Sequence, residues 1–392
     1  MIPLEELEIL LENFWILRGK DRELYHQVRD ALPNIANFIE EKLGFRLIVN
    51  SQLIKLEKIP AEPEEWMGIQ QFKEPLDYAF LCMLLAFLED KGPEEQFVLS
   101  SVTEFIEASF PGEEKVDWTL YTHRKSLVRT LNFAAEIGLI KIDDGDQERF
   151  ADDRDTEVLY ENTGVSRFFF RALGREFSED FTPEDFLIDE FSEEAGLRPE
   201  IRRHRVYRKL LLTPAVYCKS PQDEDFLYIK NIRGTIHRDF EKYLGAALHV
   251  HKSSAFLILN RSKYLKSCFP ETNSNISDIT LLLSRAIREE VESSALKVNV
   301  DDSIEMAEPE FKEKIKKIKD RYQRGWYKTY REKFFEKLYE EVVTFLEFWK
   351  MIEVEKDSGT VRILPILGKF EGDYPPDFYK KGEVGNAESL DD

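Results

Sequence analysis

Cysteine is scarce in this chain and poorly spaced for chemistry: Cys82, Cys218 and Cys268 share no CxxC or CxC spacing. An odd count at such separations points to buried, reduced thiols and away from a disulfide framework or a zinc site. Histidine is sparse too, with six in 392 residues, and no Ser/His/Asp or Cys/His arrangement stands out. The Gly-Lys pairs at 19–20 and 368–369 lack the upstream glycines and the following Ser/Thr of a phosphate-binding loop, so an ATP-driven step would need a partner. His249-Val250-His251 aims two rings to one face of a strand, but no third ligand accompanies them. Asp143–Asp155 lacks the register of a calcium loop, and Glu113-Glu114-Lys115 follows a Pro-Gly turn with no strand to fix a metal-binding carboxylate. No apolar run approaches the ~20 residues that span a bilayer. The opening Met1-Ile2-Pro3-Leu4-Glu5-Glu6 lacks the basic and apolar regions of a signal peptide. The expectation is a soluble, cytoplasmic non-enzyme with no cofactor and no metal.

Positive charge is in deficit overall, with 55 Lys/Arg against 76 Asp/Glu and a net charge of −21. The deficit is uneven. Residues 198–266 carry fifteen Lys/Arg against six Asp/Glu, and 312–337 carry eleven against four, which leaves −37 for everything else. A locally basic surface can track a phosphate backbone whatever the net sign of the molecule. The bland alternative is that both stretches are solvated faces.

What the chain does have is a pattern that occurs twice. Phe38-Ile39-Glu40-Glu41-Lys42-Leu43-Gly44 leads into Phe45–Val49, a polar Asn50-Ser51-Gln52, and Leu53–Leu56. About two hundred residues on, Phe240-Glu241-Lys242-Tyr243-Leu244-Gly245 leads into Ala247–Val250, a polar Lys252-Ser253-Ser254, and Phe256–Leu259. Each reads as a helix capped by glycine and followed by a hairpin. The offset of 201 drifts to 208 at Trp118 and Trp326, then to 212 where Phe133–Ile142 meets Phe345–Val354. Small insertions in a tandem duplication give such a drift.

After each hairpin come three helices and a second hairpin. In the first copy these are helix 76–90, a short helix opened by Ser101-Val102-Thr103-Glu104, helix 118–138, and strands 139–142 and 156–160. In the second they are helices 277–291, 309–322 and 327–349, and strands 351–355 and 360–364. The expected fold class is α+β, mainly helical: tandem winged-helix domains from an internal duplication, each preceded by a helix plus β-hairpin unit. The boundaries read as N-terminal helices and first hairpin, 1–74, and winged-helix domain 1, 75–165. An acidic connector, a basic helix, a strand at Phe226–Ile229 and the second hairpin fill 166–270. Winged-helix domain 2 spans 271–370, and 371–392 is an acidic tail without a core.

Candidate DNA-binding residues follow from charge and placement. Arg202, Arg203, Arg205, Arg208 and Lys209 share one helix whose apolar positions 201, 206, 210 and 211 turn inward. Lys316, Lys317, Lys319, Arg321, Arg324 and Lys328 lie on and just after another. Arg124, Lys125 and Arg129 sit on the third helix of the first copy, where a winged-helix regulator would read base edges. The equivalent helix of the second copy carries Glu332, Glu336, Glu340 and Glu341, which suit a protein partner better than phosphate. Leu7, Leu10, Leu11, Phe14 and Trp15 form an apolar stripe suited to a dimer or partner interface as well as to local core.

Several stretches taken together resemble a known family. They are Asn13–Arg18, Leu43–Leu47, Trp66-Met67-Gly68, Asp77-Tyr78, Thr119–Arg129 and Arg202–Val206. As an ensemble, spread over essentially the whole chain, they resemble the B component of one type of Wadjet anti-plasmid defence system, a MukE-like subunit of a bacterial SMC complex. The resemblance implies a tandem winged-helix protein that dimerises and binds the kleisin, beside an SMC ATPase that extrudes DNA and a separate nuclease subunit that cuts small circles. It supplies no catalytic residues and fixes no DNA contacts. A stand-alone winged-helix transcription regulator is the competing reading.

Overall fold

The computed structural model describes residues 5–111, 115–170, 198–260, 264–271 and 273–378. The chain divides into two compact units, Glu5–Ile201 and one running on from Arg202.

The first unit begins with α1 (Glu5–Glu12), β1 (Ile16–Leu17), α2 (Arg22–Phe38), β2 (Arg46–Val49) and β3 (Leu53–Glu57). Asp21 starts α2 by accepting the Leu24 N–H at 2.9 Å, satisfying a donor the helix cannot. A π turn and left-handed Gly44 (φ 62°) end it and swing the chain into the hairpin. β3 is central in an antiparallel sheet of order β1-β3-β2. Next come α3 (Pro75–Glu89), β4 (Gln96–Val98), α4 (Leu99–Ser109), α5 (Tyr121–Ile137), β5 (Ile140–Asp144) and β6 (Leu159–Asn162). Helical spacing of Phe80, Leu84, Leu88, Leu127, Leu131 and Ala134 buries one face each of α3 and α5, and the sheet β4-β6-β5 closes the core. Trp15, just before β1, and Leu53 of β3 belong to that same core.

The second unit runs α6 (Pro199–Leu212), β7 (Val216–Tyr217), α7 (Glu224–Leu244, kinked at Ile232), β8 (Ala247–Val250) and β9 (Ser254–Ile258). It continues with α8 (Asn275–Glu292), β10 (Ile304–Ala307), α9 (Glu308–Tyr322), the one-turn α10 (Lys328–Arg331), α11 (Phe335–Phe348), β11 (Ile352–Glu355) and β12 (Thr360–Ile363). Its sheets have orders β7-β9-β8 and β10-β12-β11. Ala215, just before β7, and Phe256 of β9 join the core of Leu283, Phe311, Ile315, Leu338 and Leu346.

Strand order and register match between the units. Ile16 faces Ile54 as Val216 faces Ala255, and Arg46 faces Glu57 as Ala247 faces Ile258. A side chain from the leading strand region holds the end of the third helix in both. The Trp15 indole donates to the Ile137 carbonyl at 2.6 Å, and the Tyr217 hydroxyl donates to that of Lys350 at 2.7 Å. Gly138 (φ 81°) and Lys350 (φ 52°) both leave those helices left-handed.

Several expected elements differ. Each sheet gains a third strand of two to four residues (β1, β4, β7, β10), too short to show period-two alternation. The apolar stripe of Leu7–Trp15 is helical only to Glu12, and Phe226–Ile229 is helical where a strand was expected, because Asp223 caps α7 and Phe226, Ile229, Ile236 and Phe240 bury at helical spacing. The helix expected over 327–349 breaks between Arg331 and Phe335. The segment 371–378 is not coreless: the Tyr374 and Phe378 rings stack at 4.3 Å beside Tyr322, and the Tyr374 hydroxyl donates to Asp278. Residues 171–197, which hold most of the expected acidic connector, lie outside the described residues. Among the described residues no helix is long and apolar enough to cross a membrane.

Candidate nucleic-acid interface

The three basic clusters fare differently. On α6, the Arg205 guanidinium donates twice to Asp225, at 2.8 and 2.6 Å, and Lys209 donates to the same carboxylate at 2.9 Å. Arg202 pairs with Glu224. Arg208 is buried, and Arg203 is half-buried. Asp225 and Glu224 occupy the first turn of α7, where the helix dipole favours negative charge. Burial works to raise the Asp225 carboxyl, but the hydrogen bonds from Arg205 and the charge of Lys209 hold it below the usual carboxylate range. The row of outward arginines expected on this helix is therefore largely a helix-to-helix brace. Composition alone could not show this, because the partner carboxylates lie sixteen to twenty-two residues downstream.

On α5, Arg124 is buried and donates to the carbonyls of Ala151, Trp118 and Thr119 at 2.7–3.0 Å. Arg129 makes a two-pronged pair with fully buried Asp77, both bonds 2.8 Å, which ties α5 to the start of α3. Lys125 alone of the three is exposed, beside Tyr121.

The stretch from α9 to α11 keeps its cations in solvent. Lys316, Lys317, Arg321, Arg324 and Lys328 are exposed, as are Arg331 and Lys337. Beneath them Phe311, Ile315, Ile318, Tyr322 and Trp326 fill the core, so helical periodicity forces the intervening lysines outward. Some cations are committed: Lys319 donates to the Lys333 carbonyl at 2.6 Å, Arg324 lies 4.1 Å from the Phe378 ring centroid, and Lys328 pairs with Glu332 at 3.8 Å. Lys316, Lys317, Arg331 and Lys337 have no carboxylate partner among the described residues.

Two residues of this corner were missed at the level of sequence: Tyr327 is 61% exposed and Phe334 81%. Both stand next to lysines, and reading 327–349 as one helix hid that alternation. The loop presenting Phe334 is held from below. Glu341 accepts from both Tyr330 and Lys333, and those bonds keep its carboxyl below the usual range although burial works to raise it. Glu341 thus faces its own loop, while Glu332, Glu336 and Glu340 stay exposed, as do Glu313 and Asp320 on α9.

The apolar stripe of α1 is mostly internal. Leu7, Leu10 and Trp15 are buried, Leu11 is half-buried, and α1 packs on α2 and β3. Phe14 is the exception, 39% exposed, with Phe169 at 5.2 Å and the Lys55 ammonium 4.9 Å from its ring centre. The His249 and His251 rings both pack against Phe256, their centres 5.5 and 5.6 Å from it and 6.3 Å from each other, a packing role. Among the described residues no group of three His, Cys, Asp or Glu could hold a metal ion.

Residues 7–373 match the family described as a protein of unknown function, DUF2398, and the chain belongs to that family. No curated protein and no solved structure matches the chain.

Proposed function

We propose that this chain is a non-catalytic, MukE-like subunit of a bacterial SMC complex: a tandem winged-helix protein, made by internal duplication, that binds the kleisin and helps hold DNA against the ATPase heads in anti-plasmid defence. The observation that carries the reading is the paired architecture. Each unit has a helix, a short strand, a helix and a hairpin, then three long helices, with the one-turn α10 added in the second unit, around a second three-stranded sheet of the same strand order. Three helices closed by a β-hairpin wing match the helix-turn-helix plan. The left-handed exits at Gly138 and Lys350, 212 residues apart, support common descent of the halves. Double-stranded DNA is held without sequence reading, through the exposed cations of the α9–α11 corner.

The regulator reading is less well supported. Base recognition needs exposed donors on the third helix, yet Arg124 and Arg129 of α5 are spent on internal carbonyls and on Asp77. Co-expression with the kleisin and SMC ATPase of the same host tests the proposal. A stable complex containing two copies of this chain is the expected result, with DNA-stimulated ATPase activity that falls when Lys316 and Lys317 are reversed to glutamate. A chain that stays monomeric at micromolar concentration and ignores the kleisin refutes it.

A further inference from the structure

We infer that the α9–α11 corner binds an unpaired nucleic-acid strand in preference to duplex, with Phe334 and Tyr327 as stacking platforms and Lys316, Lys317, Arg331 and Lys337 as the phosphate contacts. The inference rests on reading this corner as a nucleic-acid surface and specifies the form of its ligand.

Three observations fix the part of this surface around Phe334. Lys312 reaches Glu336 at 3.6 Å, and Lys319 reaches the Lys333 carbonyl at 2.6 Å, so one face of α9 runs alongside the loop and first turn of α11. Lys316 lies four residues after Lys312 and three before Lys319, on the same face of α9, which turns it toward the loop that carries Phe334. The Glu341 contacts to Tyr330 and Lys333 clamp the loop from α10 to α11, so the Phe334 ring is presented on a fixed backbone.

The chemistry selects the ligand. Duplex held only by its phosphates engages the cations and leaves both rings in water. An unpaired strand offers phosphates and a free π-face at every base, and stacking of this kind tolerates any sequence. Partly unwound DNA under an extruding motor is one source of such a strand, and RNA is another. The shared chemistry is a polyphosphate backbone with unstacked bases.

Fluorescence anisotropy on the full chain at low salt tests this, using a labelled oligothymidine of about 20 nucleotides, its duplex with oligoadenosine, and the matching oligouridine. Phe334→Ala and Tyr327→Ala remove exposed rings. Each is expected to weaken oligothymidine binding about tenfold, with duplex binding unchanged within about twofold. Lys316→Glu with Lys317→Glu is expected to weaken both probes. Equal effects on oligouridine extend the ligand to RNA, and oligouridine binding insensitive to Phe334→Ala confines it to DNA. If Phe334→Ala leaves oligothymidine binding intact while duplex still binds, stacking is refuted and the duplex surface stands. If it weakens the duplex equally, the ring is a wedge between base pairs and the preference is refuted. Loss of kleisin capture alone makes Phe334 a protein anchor and refutes it likewise. If neither probe binds, the nucleic-acid reading of the corner falls with it.

Discussion

Replacing Asp225 by alanine separates a structural α6 from a DNA-contacting one. This carboxylate is 7% exposed and accepts three charge-assisted bonds, two from Arg205 and one from Lys209. Removing it leaves two cations facing each other, both with mostly covered side chains. Loss of one partner from a buried pair costs about 3–5 kcal/mol, and the partial exposure of Arg205 and Lys209 sets the expectation near about 3 kcal/mol. Urea unfolding monitored by circular dichroism reads this as a lower midpoint at unchanged slope. The folded Asp225 pKa lies below its ordinary 3.8, so this stabilisation is complete above about pH 4 and disappears as pH falls through the folded value. Asp225→Asn should remove that acid-limb dependence. DNA binding by Asp225→Ala, measured where the protein is still folded, should equal wild type. A loss under about 1 kcal/mol, or a DNA defect without a stability defect, refutes the brace and returns α6 to the phosphate surface.

The pair of Arg129 with buried Asp77 predicts that Asp77→Ala and Arg129→Ala each cost about 3 kcal/mol and that the double variant costs less than their sum, in a double-mutant cycle by chemical denaturation. Gly138→Ala should destabilise by about 2 kcal/mol, because φ is 81° and the new Cβ would lie 2.5 Å from Leu17 Cδ1, whereas Lys350→Gly should stabilise by about 0.5 kcal/mol by relieving a left-handed lysine. Trp15→Phe keeps most of the buried ring and loses the N–H bond to Ile137, so its unfolding free energy by urea titration should fall by about 1 kcal/mol.

Much of the architecture could be read from residue patterns, because the signals repeated. Leu43-Gly44 and Leu244-Gly245 mark two helix ends, and the alternating residues after each mark two hairpins that the structure contains in the same register. The leading strands were invisible, since Ile16-Leu17 and Val216-Tyr217 are strands only because β3 and β9 lie beside them. The candidate surface was half legible. Charge density located both basic stretches, but nothing local distinguishes an arginine that meets Asp225 or Asp77 from one that meets water. Phe334 went unnoticed because its exposure depends on a break in the helix that the periodicity of 335–348 does not announce.

The grip of Trp15 and Tyr217 on the ends of the third helices bears on how the protein can be taken apart. A fragment beginning at residue 75 would lack the donor to the Ile137 carbonyl and the Leu17 side chain that lies against Gly138. One beginning at residue 271 would lose Ala215 and Phe256 from its interior and the hydroxyl that reaches Lys350. Neither of these fragments is then a natural module for expression, grafting or recombination, and the smallest transferable piece is a whole half, from the leading strand to the closing hairpin. Limited proteolysis should accordingly yield protected fragments of about that extent, and point changes near residues 15 or 217 should register at the far hairpin through shared backbone protection.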